Sequence, residues 1–166
     1  MLAIDRKHTA MKKAILAVTA AIACAPALGQ EHSYELRLCS TTEGSVIDRT
    51  GETTILANVT RGVADSVPLG GPFDKTTFEC RSVVDASKSG FSYNSRCTFV
   101  DMDGHKVIGS SVGTQQGWKW TFLGGTGKWE GIQGGGTGKS IAQYPRLSPA
   151  ISASCGLATG TYSLKK

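Results

Sequence analysis

The glycine-rich stretch GGTGKWEGIQGGGTGKS, residues 124–140 of this 166-residue chain, contains two Gly-Lys pairs that could take part in phosphate binding. Its second half looks like a phosphate-binding loop, which needs Gly, four residues, then Gly-Lys-Ser/Thr. Five positions before Gly138 the chain has Gln133 instead of glycine, so the pattern fails by one residue. The following IAQYPRLSP contains two prolines, which disfavour the helix that such a loop precedes. We therefore expect no nucleotide binding, and we expect Lys128 and Lys139 to point to solvent.

Metal chemistry is also not expected from this sequence. His32 and His105 have no partner residues at metal-ligand spacing, and each is more typical of a surface histidine. The segment DMDG resembles part of a calcium loop, but with Gly104 in the glycine position the first ligand would be Phe99, which cannot bind calcium. The cysteines contain no C-x-x-C spacing. We expect neither a metal nor a cofactor.

The N-terminus predicts export. MKK at 11–13 precedes an apolar run that ends in small residues at 27–29, which is typical of a signal peptide and its cleavage site. Residues 1–29 are therefore predicted to be a leader, with translation starting at Met1 or Met11, and 30–166 a single domain that is secreted or periplasmic. The apolar run is shorter than the ~20 residues that a membrane span needs. Lipidation at Cys24 stays open as an alternative.

Without the leader, the chain carries 14 basic and 12 acidic residues with no strong basic cluster, so nucleic-acid binding is not expected. Four cysteines remain in this part: Cys39, Cys80, Cys97 and Cys155. An even number in an oxidising compartment predicts two disulfides, and three connectivities are possible.

Short runs rich in Thr, Val, Ile and aromatic residues, separated by glycine, predict an all-β chain. The predicted strands are 33–38, 53–63, 75–84, 92–102, 105–111, 118–123, 138–144 and 157–164. Eight strands of this length favour a small closed antiparallel β-barrel of the calycin-like kind, which leaves no exposed sheet edge.

The turn ASKSG at 86–90 predicts the register of one hairpin. Pairing about its centre places Phe78 opposite Phe99, Cys80 opposite Cys97, and Val84 opposite Tyr93, which gives one apolar face. It also places Glu79 diagonal to Arg96 on the other face. We therefore predict a Cys80–Cys97 disulfide, because directly opposite residues lie at disulfide distance. By elimination, Cys39 then pairs with Cys155 and ties the first strand to the loop before the last.

A second turn is predicted at Asp103-Gly104, a pair typical of two-residue hairpin turns. This register pairs Phe99 with Ile108. It also sets Asp101 opposite Lys106, which predicts an ion pair at the rim of the barrel that contributes little to stability.

Alternating aromatic residues predict the inner wall of the barrel. Trp118, Trp120 and Phe122 share one face of their strand, which is typical of a core but also of a ligand cage. In a barrel the wall of the core is also the wall of any cavity. The residues predicted to contact an apolar guest are Phe78, Tyr93, Phe99, Trp118, Trp120 and Trp129.

The segment GGTGKWEGIQG resembles the Gly-Gly-x-Gly-x-aromatic-Glu-Gly signature of the allene oxide cyclase and dirigent barrels, and most closely that of bacterial exported proteins with such barrels. DMDG shortly after the strand of Cys97, and SYELRL near the mature start, are similar to further segments of these proteins. The resemblance implies an eight-stranded antiparallel barrel over most of 31–166, and it leaves an oligomer possible. Independently of the resemblance, Gly-Gly-Thr-Gly allows positive φ and close backbone approach, which predicts a sharp barrel corner where Trp129 packs inward as a plug.

The resemblance to the plant cyclases gives Glu35 the role of a catalytic carboxylate, but Arg37 stands where those enzymes have an asparagine. Three functions follow from the sequence. The barrel binds a small apolar molecule in its interior, or it is a non-covalent isomerase or cyclase without cofactor, or it is a structural or partner-binding barrel with a filled core. The sequence names no ligand and does not determine whether the protein is an enzyme.

Overall fold

The computed structural model describes residues 30–165, and its polypeptide forms one closed antiparallel barrel. Each strand pairs with the next in the chain, and the eighth pairs with the first. The predicted fold class is therefore confirmed. The strands are β1 (His32–Thr50), β2 (Thr53–Ser66), β3 (Thr76–Ser87), β4 (Gly90–Val100), β5 (Lys106–Thr114), β6 (Gly117–Gly125), β7 (Ile132–Ser148) and β8 (Ile151–Leu164). A short 3₁₀ helix, Gly127–Trp129, lies between β6 and β7.

No helix within residues 30–165 has the length and apolar character needed to cross a membrane. The predicted leader and Cys24 lie outside the described residues.

Two strands are much longer than the sequence predicted. β1 continues to Thr50 through the polar segment 39–50, and β7 begins at Ile132 within the glycine-rich stretch. In the first case, backbone pairing with β2 and β8 supports a polar strand whose side chains alternate between the solvent and the barrel interior, where Thr42 bonds Thr60. In the second, Gly135 and Gly136 pair with both β6 and β8. The glycine motif is therefore largely a strand of the barrel.

The predicted hairpin register between β3 and β4 matches the structure. Phe78 pairs with Phe99, Cys80 with Cys97, and Val84 with Tyr93. Cys80 and Cys97 form a disulfide that packs with the hydrophobic core.

The predicted register between β4 and β5 is wrong by one residue. Phe99 pairs with Val107, while Ile108 pairs with Thr98. The backbone amides of Asp103 and His105 donate to Asp101 Oδ1, at 2.9 Å each, so the chain turns through a longer loop than the two-residue turn. Lys106 therefore pairs with Val100 instead of lying opposite Asp101.

The second disulfide joins Cys39 and Cys155, which are paired directly across β1 and β8. The sequence predicted Cys155 in the loop before the last strand, but it lies within β8. Because neighbouring Leu38 and Gly156 share the inner face, this disulfide lies on the outside of the barrel, where the Tyr144 hydroxyl contacts the Cys155 sulfur at 3.7 Å. It fastens the pair of strands that closes the barrel.

The barrel has two different ends. At the end that we call the hairpin end, tight turns at 51–52, 88–89, 115–116 and 149–150 connect consecutive strands. At the other, the closed end, the loops 67–75, 101–105 and 126–131 fold over the interior. The buried cluster is centred towards the closed end, and it contains Tyr34, Leu36, Ala64, Phe73, Phe78, Cys97, Phe99, Val107, Trp120, Phe122, Trp129 and Ile132.

Candidate functional site

An open cleft of about 570 Å³ lies towards the hairpin end, where β4, β5, β6 and β7 run side by side. Its lining includes Tyr93, Gly113, Trp118 and Gly138, which are paired in one row across these four strands, and also the outward-facing Asn94, Val112 and Lys119 of the adjoining row. Tyr93 and Trp118 are half-buried, so part of each ring remains accessible. The cleft therefore combines two partly exposed aromatic residues with a glycine backbone.

Glycines on the inner wall determine where these rings lie. A side chain at Gly113 would overlap the ring of Tyr93, and one at Gly138 or Gly156 would overlap the indole of Trp118. The aromatic rings therefore occupy the space that side chains at these glycines would need. The cleft depends on glycine as much as on the aromatic residues.

Phe91 extends the aromatic wall and was not among the predicted site residues. It lies two positions before Tyr93 on β4, is 41% exposed, and stacks on Tyr93 with 6.4 Å between ring centroids. The period of two along a strand puts Phe91 and Tyr93 on one face, so the alternation of the sequence could have identified it. We call Phe91, Tyr93 and Trp118 the mouth aromatics.

Deeper in the barrel, four adjacent strands present small polar side chains inward. One paired row runs from Asn58 on β2 through Ser82 and Ser95 to Ser111 on β5, and we call it the polar layer. The Tyr93 hydroxyl is hydrogen-bonded to Ser111; burial raises the pKa of Tyr93, and this bond partly opposes that effect. In the next row, the hydroxyls of Thr42 and Thr60 are 2.8 Å apart. These two rows present hydroxyl and amide groups to the interior, and the four residues of the polar layer are uncharged.

The closed end has a different interior, in which aromatic rings pack against one another. Phe73, from the loop 67–75, inserts between the strands and stacks on Trp129 at 4.7 Å between centroids and on Phe122 at 5.7 Å. Both Trp129 and Phe73 are at most 4% exposed. Phe73 was not predicted, because it lies in a loop without strand alternation.

Four of the six residues predicted to contact a guest belong to this packed region. Phe78, Phe99, Trp120 and Trp129 are 4–8% exposed. The Trp120 indole N–H donates to the Tyr34 hydroxyl at 2.6 Å, and burial raises the pKa of Tyr34 against the smaller effect of this bond. Only Tyr93 and Trp118, of the predicted six, lie at the cleft.

Asp101 fixes the glycine-rich corner at the closed end. Its side chain is 5% exposed, and its Oδ2 accepts from the Trp129 indole N–H at 2.9 Å and from the Lys128 ammonium at 3.0 Å. Burial acts to raise the pKa of Asp101, but these bonds, together with the amides of His105 and Asp103, outweigh it and lower the pKa to about 2. Asp101 therefore holds the Trp129 plug in place.

One prediction about this corner is wrong. Asp101 pairs with Lys128 and not with Lys106, because the loop 101–105 is longer than predicted. Lys128 is exposed, as predicted, but its ammonium also bonds Asp103 at 3.0 Å and lies 5.5 Å from the Trp129 ring centroid, which the sequence did not predict. Lys139 is exposed, as expected.

The corner also brings together three groups of the kind that bind metals. Possible ligand atoms of Asp101, Asp103 and His105 lie within 4.8 Å of one another. The Lys128 ammonium lies 3.0 Å from an oxygen of each carboxylate and thus supplies the positive charge between them. The short distances within this cluster are explained by the Lys128 ion pairs and by the hydrogen bond from Trp129 to Asp101.

Glu35 lies on the outer face of β1, between the buried side chains of Tyr34 and Leu36, which point inward. Arg37 follows it on the same outer face. The structure therefore does not bring Glu35 together with the mouth aromatics. On β3, Glu79 pairs with Arg61 at 2.9 Å and Arg81 at 3.0 Å instead of with Arg96.

Comparison with known proteins gives no family assignment. No family model matches the chain, and no curated protein matches it. Among solved structures, the barrel is similar to that of the pterocarpan synthase dirigent protein GePTS1, with a TM-score of 0.49 and 10% sequence identity. The match covers 82% of this chain and 93% of that chain. The closed eight-stranded architecture is established by the chain's own strand pairing.

Proposed function

We propose that the protein is an exported barrel of the allene oxide cyclase and dirigent type that binds a small, mostly apolar molecule at its hairpin end. The observation that carries the proposal is the position of Tyr93 and Trp118, which line an open cleft while the aromatic residues of the closed end are packed. Aromatic walls with a few polar groups are typical of small-molecule sites. The two disulfides support an oxidising compartment such as the periplasm or the cell exterior.

The mouth aromatics are the surfaces that the guest would contact. Trp118 packs on the backbone of Gly138 and Gly156 and is only half-buried, so a flat or flexible apolar guest would lie against the part of its ring that remains accessible. Phe91 and Tyr93 form a second aromatic surface across β5. Burying one aromatic face contributes about 1–2 kcal/mol to binding, which corresponds to about a tenfold change in affinity per residue.

The experiment is a titration of the mature protein with fatty acids, aliphatic alcohols, terpenoids and phenolics, followed by tryptophan fluorescence. We expect a saturable change with at least one class, and a loss of about tenfold in affinity for Trp118→Ala. Leu123→Ala is the matched control, because Leu123 is an exposed apolar residue on the outer face of the same strand. The proposal is wrong if no class gives a saturable response, or if Trp118→Ala and Leu123→Ala bind equally well.

A second candidate function is that of a structural or partner-binding barrel. Phe73, Phe122 and Trp129 fill the closed end by direct stacking, which favours a filled core there. In the titration above, this candidate predicts no saturable response. We do not extend the proposal to isomerase chemistry, because Glu35 lies on the outer face.

A further inference from the structure

A second cavity, of about 370 Å³, lies beside the cleft near the hairpin ends of β2, β3, β4 and β5. It shares Ser92, Thr114 and Gln116 with the lining of the cleft. Asp85, Ser92 and Thr114 are paired in one row on the outer face of β3, β4 and β5, and residues of the turns after β3 and β5 complete the lining. We call this second cavity the rim cavity.

The rim cavity is lined mainly by polar side chains. They are the carboxylate of Asp85, two glutamine amides, and the hydroxyls of Thr53, Ser87, Ser89, Ser92 and Thr114. Some of these groups hold one another in place, since the Thr114 hydroxyl donates to Gln116 Oε1 at 2.6 Å and the Ser87 and Ser89 hydroxyls are 2.8 Å apart. Asp85 is exposed and forms no ion pair with any of residues 30–165, so its oxygens remain available to accept from a guest.

The charges and hydrogen-bonding groups of the rim cavity favour one class of polar guest. Among the described residues no basic side chain lines it, because Lys119 lines only the cleft, and Lys88 of the adjacent turn is held by Glu52 at 2.7 Å. A calcium ion takes about six to eight oxygen ligands, whereas Asp85 is the one carboxylate that residues 30–165 place in this lining. A phosphate mainly accepts hydrogen bonds and an ammonium only donates them, but the hydroxyls and amides of this lining do both. A guest with several hydroxyl groups matches them.

We propose that the rim cavity is a carbohydrate site, in which the Asp85 carboxylate accepts hydrogen bonds from sugar hydroxyls and the Ser92 and Thr114 hydroxyls bond others. Hydrogen bonds to an ionised acceptor are stronger than those to a neutral one, so Asp85 contributes most to binding. Phe91, which is 41% exposed, supplies apolar surface to the same lining, as the C–H groups of a sugar ring require. This site is separate from the apolar cleft of the proposed function and does not depend on it.

The test is a titration of the mature, disulfide-bonded protein with the methyl glycosides of glucose, galactose, mannose and N-acetylglucosamine, followed by NMR of the glutamine side-chain amides. We expect saturable shifts of the Gln115 and Gln116 signals with at least one sugar, while the Trp129 indole signal at the closed end does not move. Methylamine and calcium chloride are the competing probes. Shifts with either of these and with no sugar overturn the inference, and so does the absence of any response. Neither result affects the cleft, which is tested with apolar molecules.

Two aspartates provide matched variants. We expect Asp85→Asn to weaken sugar binding about threefold to tenfold, because a neutral acceptor replaces a charged one with little change in size. Asp48→Asn is the control, since Asp48 is also exposed towards the hairpin end but lines neither cavity, and it should leave the affinity unchanged. Equal sugar affinities of Asp85→Asn and Asp48→Asn, with both barrels folded by circular dichroism, contradict the assignment of the sugar to the rim cavity.

Discussion

The two ends of the barrel use the same residue types in opposite ways. At the closed end, Trp129 is 4% exposed, and its indole nitrogen is fixed by Asp101. At the hairpin end, Trp118 is half-buried and lies on glycine backbone next to an open cleft. The closed end thus has the features of a stabilising core, whereas the hairpin end has those of a surface that can accept a guest.

Glycine also differs between the two ends. At the closed end, Gly127 has a positive φ of 59°, and the His105 ring occupies the space where a side chain would be. At the hairpin end, Gly113 and Gly138 make room for aromatic rings within regular strands. The first glycine permits a left-handed backbone at the corner, whereas the other two leave space for the aromatic rings of the proposed binding surface. Substitutions at the closed end should therefore lower stability, whereas substitutions at the hairpin end should mainly affect the binding of a guest.

The largest expected effect is on the stability of the closed end. Trp129→Ala should lower the free energy of unfolding by about 3–5 kcal/mol, because it removes a buried ring that stacks on Phe73. Phe91→Ala, at the hairpin end, should cost less than about 1.5 kcal/mol, because its side chain is already 41% exposed. Urea denaturation of both variants measures the difference. Equal losses would mean that the two ends are not energetically distinct.

The next effect concerns the backbone of the corner. Gly127→Val should cost more than the ~1–3 kcal/mol of left-handed strain alone, because the new side chain also collides with His105. Gly51 has a φ of 61° with no atom within 4 Å of an added Cβ, so Gly51→Val carries the strain without the collision. Gly127→Val should therefore unfold at a lower temperature than Gly51→Val. The reverse order would contradict the packing of His105 on Gly127.

A smaller effect is the pH dependence that Asp101 contributes. Its pKa in the folded protein is about 2, below the ordinary value of 3.8, so its contribution to stability is present above about pH 4. That contribution is lost as the pH falls from about 4 to about 2. Asp101→Asn should therefore be less stable than the wild type at pH 7 and should lose less stability over this acid range. Parallel stability profiles for the two proteins would exclude the Asp101 network as the cause.

The sequence predicted the parts of this comparison that depend on alternation. Strand periodicity placed Tyr93, Trp118 and Trp120 on the inner wall, and one turn gave the Cys80–Cys97 pair. It could not separate the accessible aromatic residues from the packed ones, because that depends on Phe73, which reaches the core from a loop.

The errors have local causes. The loop after β4 is longer than its Asp-Gly pair suggested, because the Asp101 carboxylate satisfies two backbone amides of the loop. Glu35 was assigned a role by resemblance, but the alternation of β1 turns its side chain outward. Side-chain hydrogen bonds and contacts between distant segments are the information that a pattern of residue types does not contain.

The smallest effects separate two lysines of the glycine-rich stretch. Lys128→Ala should lower the free energy of unfolding by about 1 kcal/mol or less, because the ammonium is partly exposed although it bonds two carboxylates. Lys139→Ala should change neither stability nor guest binding, since Lys139 is exposed on the outer face. A loss of nucleotide affinity in Lys139→Ala, measured by calorimetry, would restore a phosphate-binding role for the stretch.

The most direct test of the two-ended barrel is to follow the indole N–H signals of its three tryptophans by NMR during a titration with 1-octanol. Trp118→Phe and Trp129→Phe assign two of the signals, and the third belongs to Trp120. The account predicts that the Trp118 signal shifts with saturation, while the Trp129 signal, held by Asp101 at the closed end, does not move. A saturable shift of Trp129 with Trp118 unchanged would contradict the assignment of guest binding to the hairpin end.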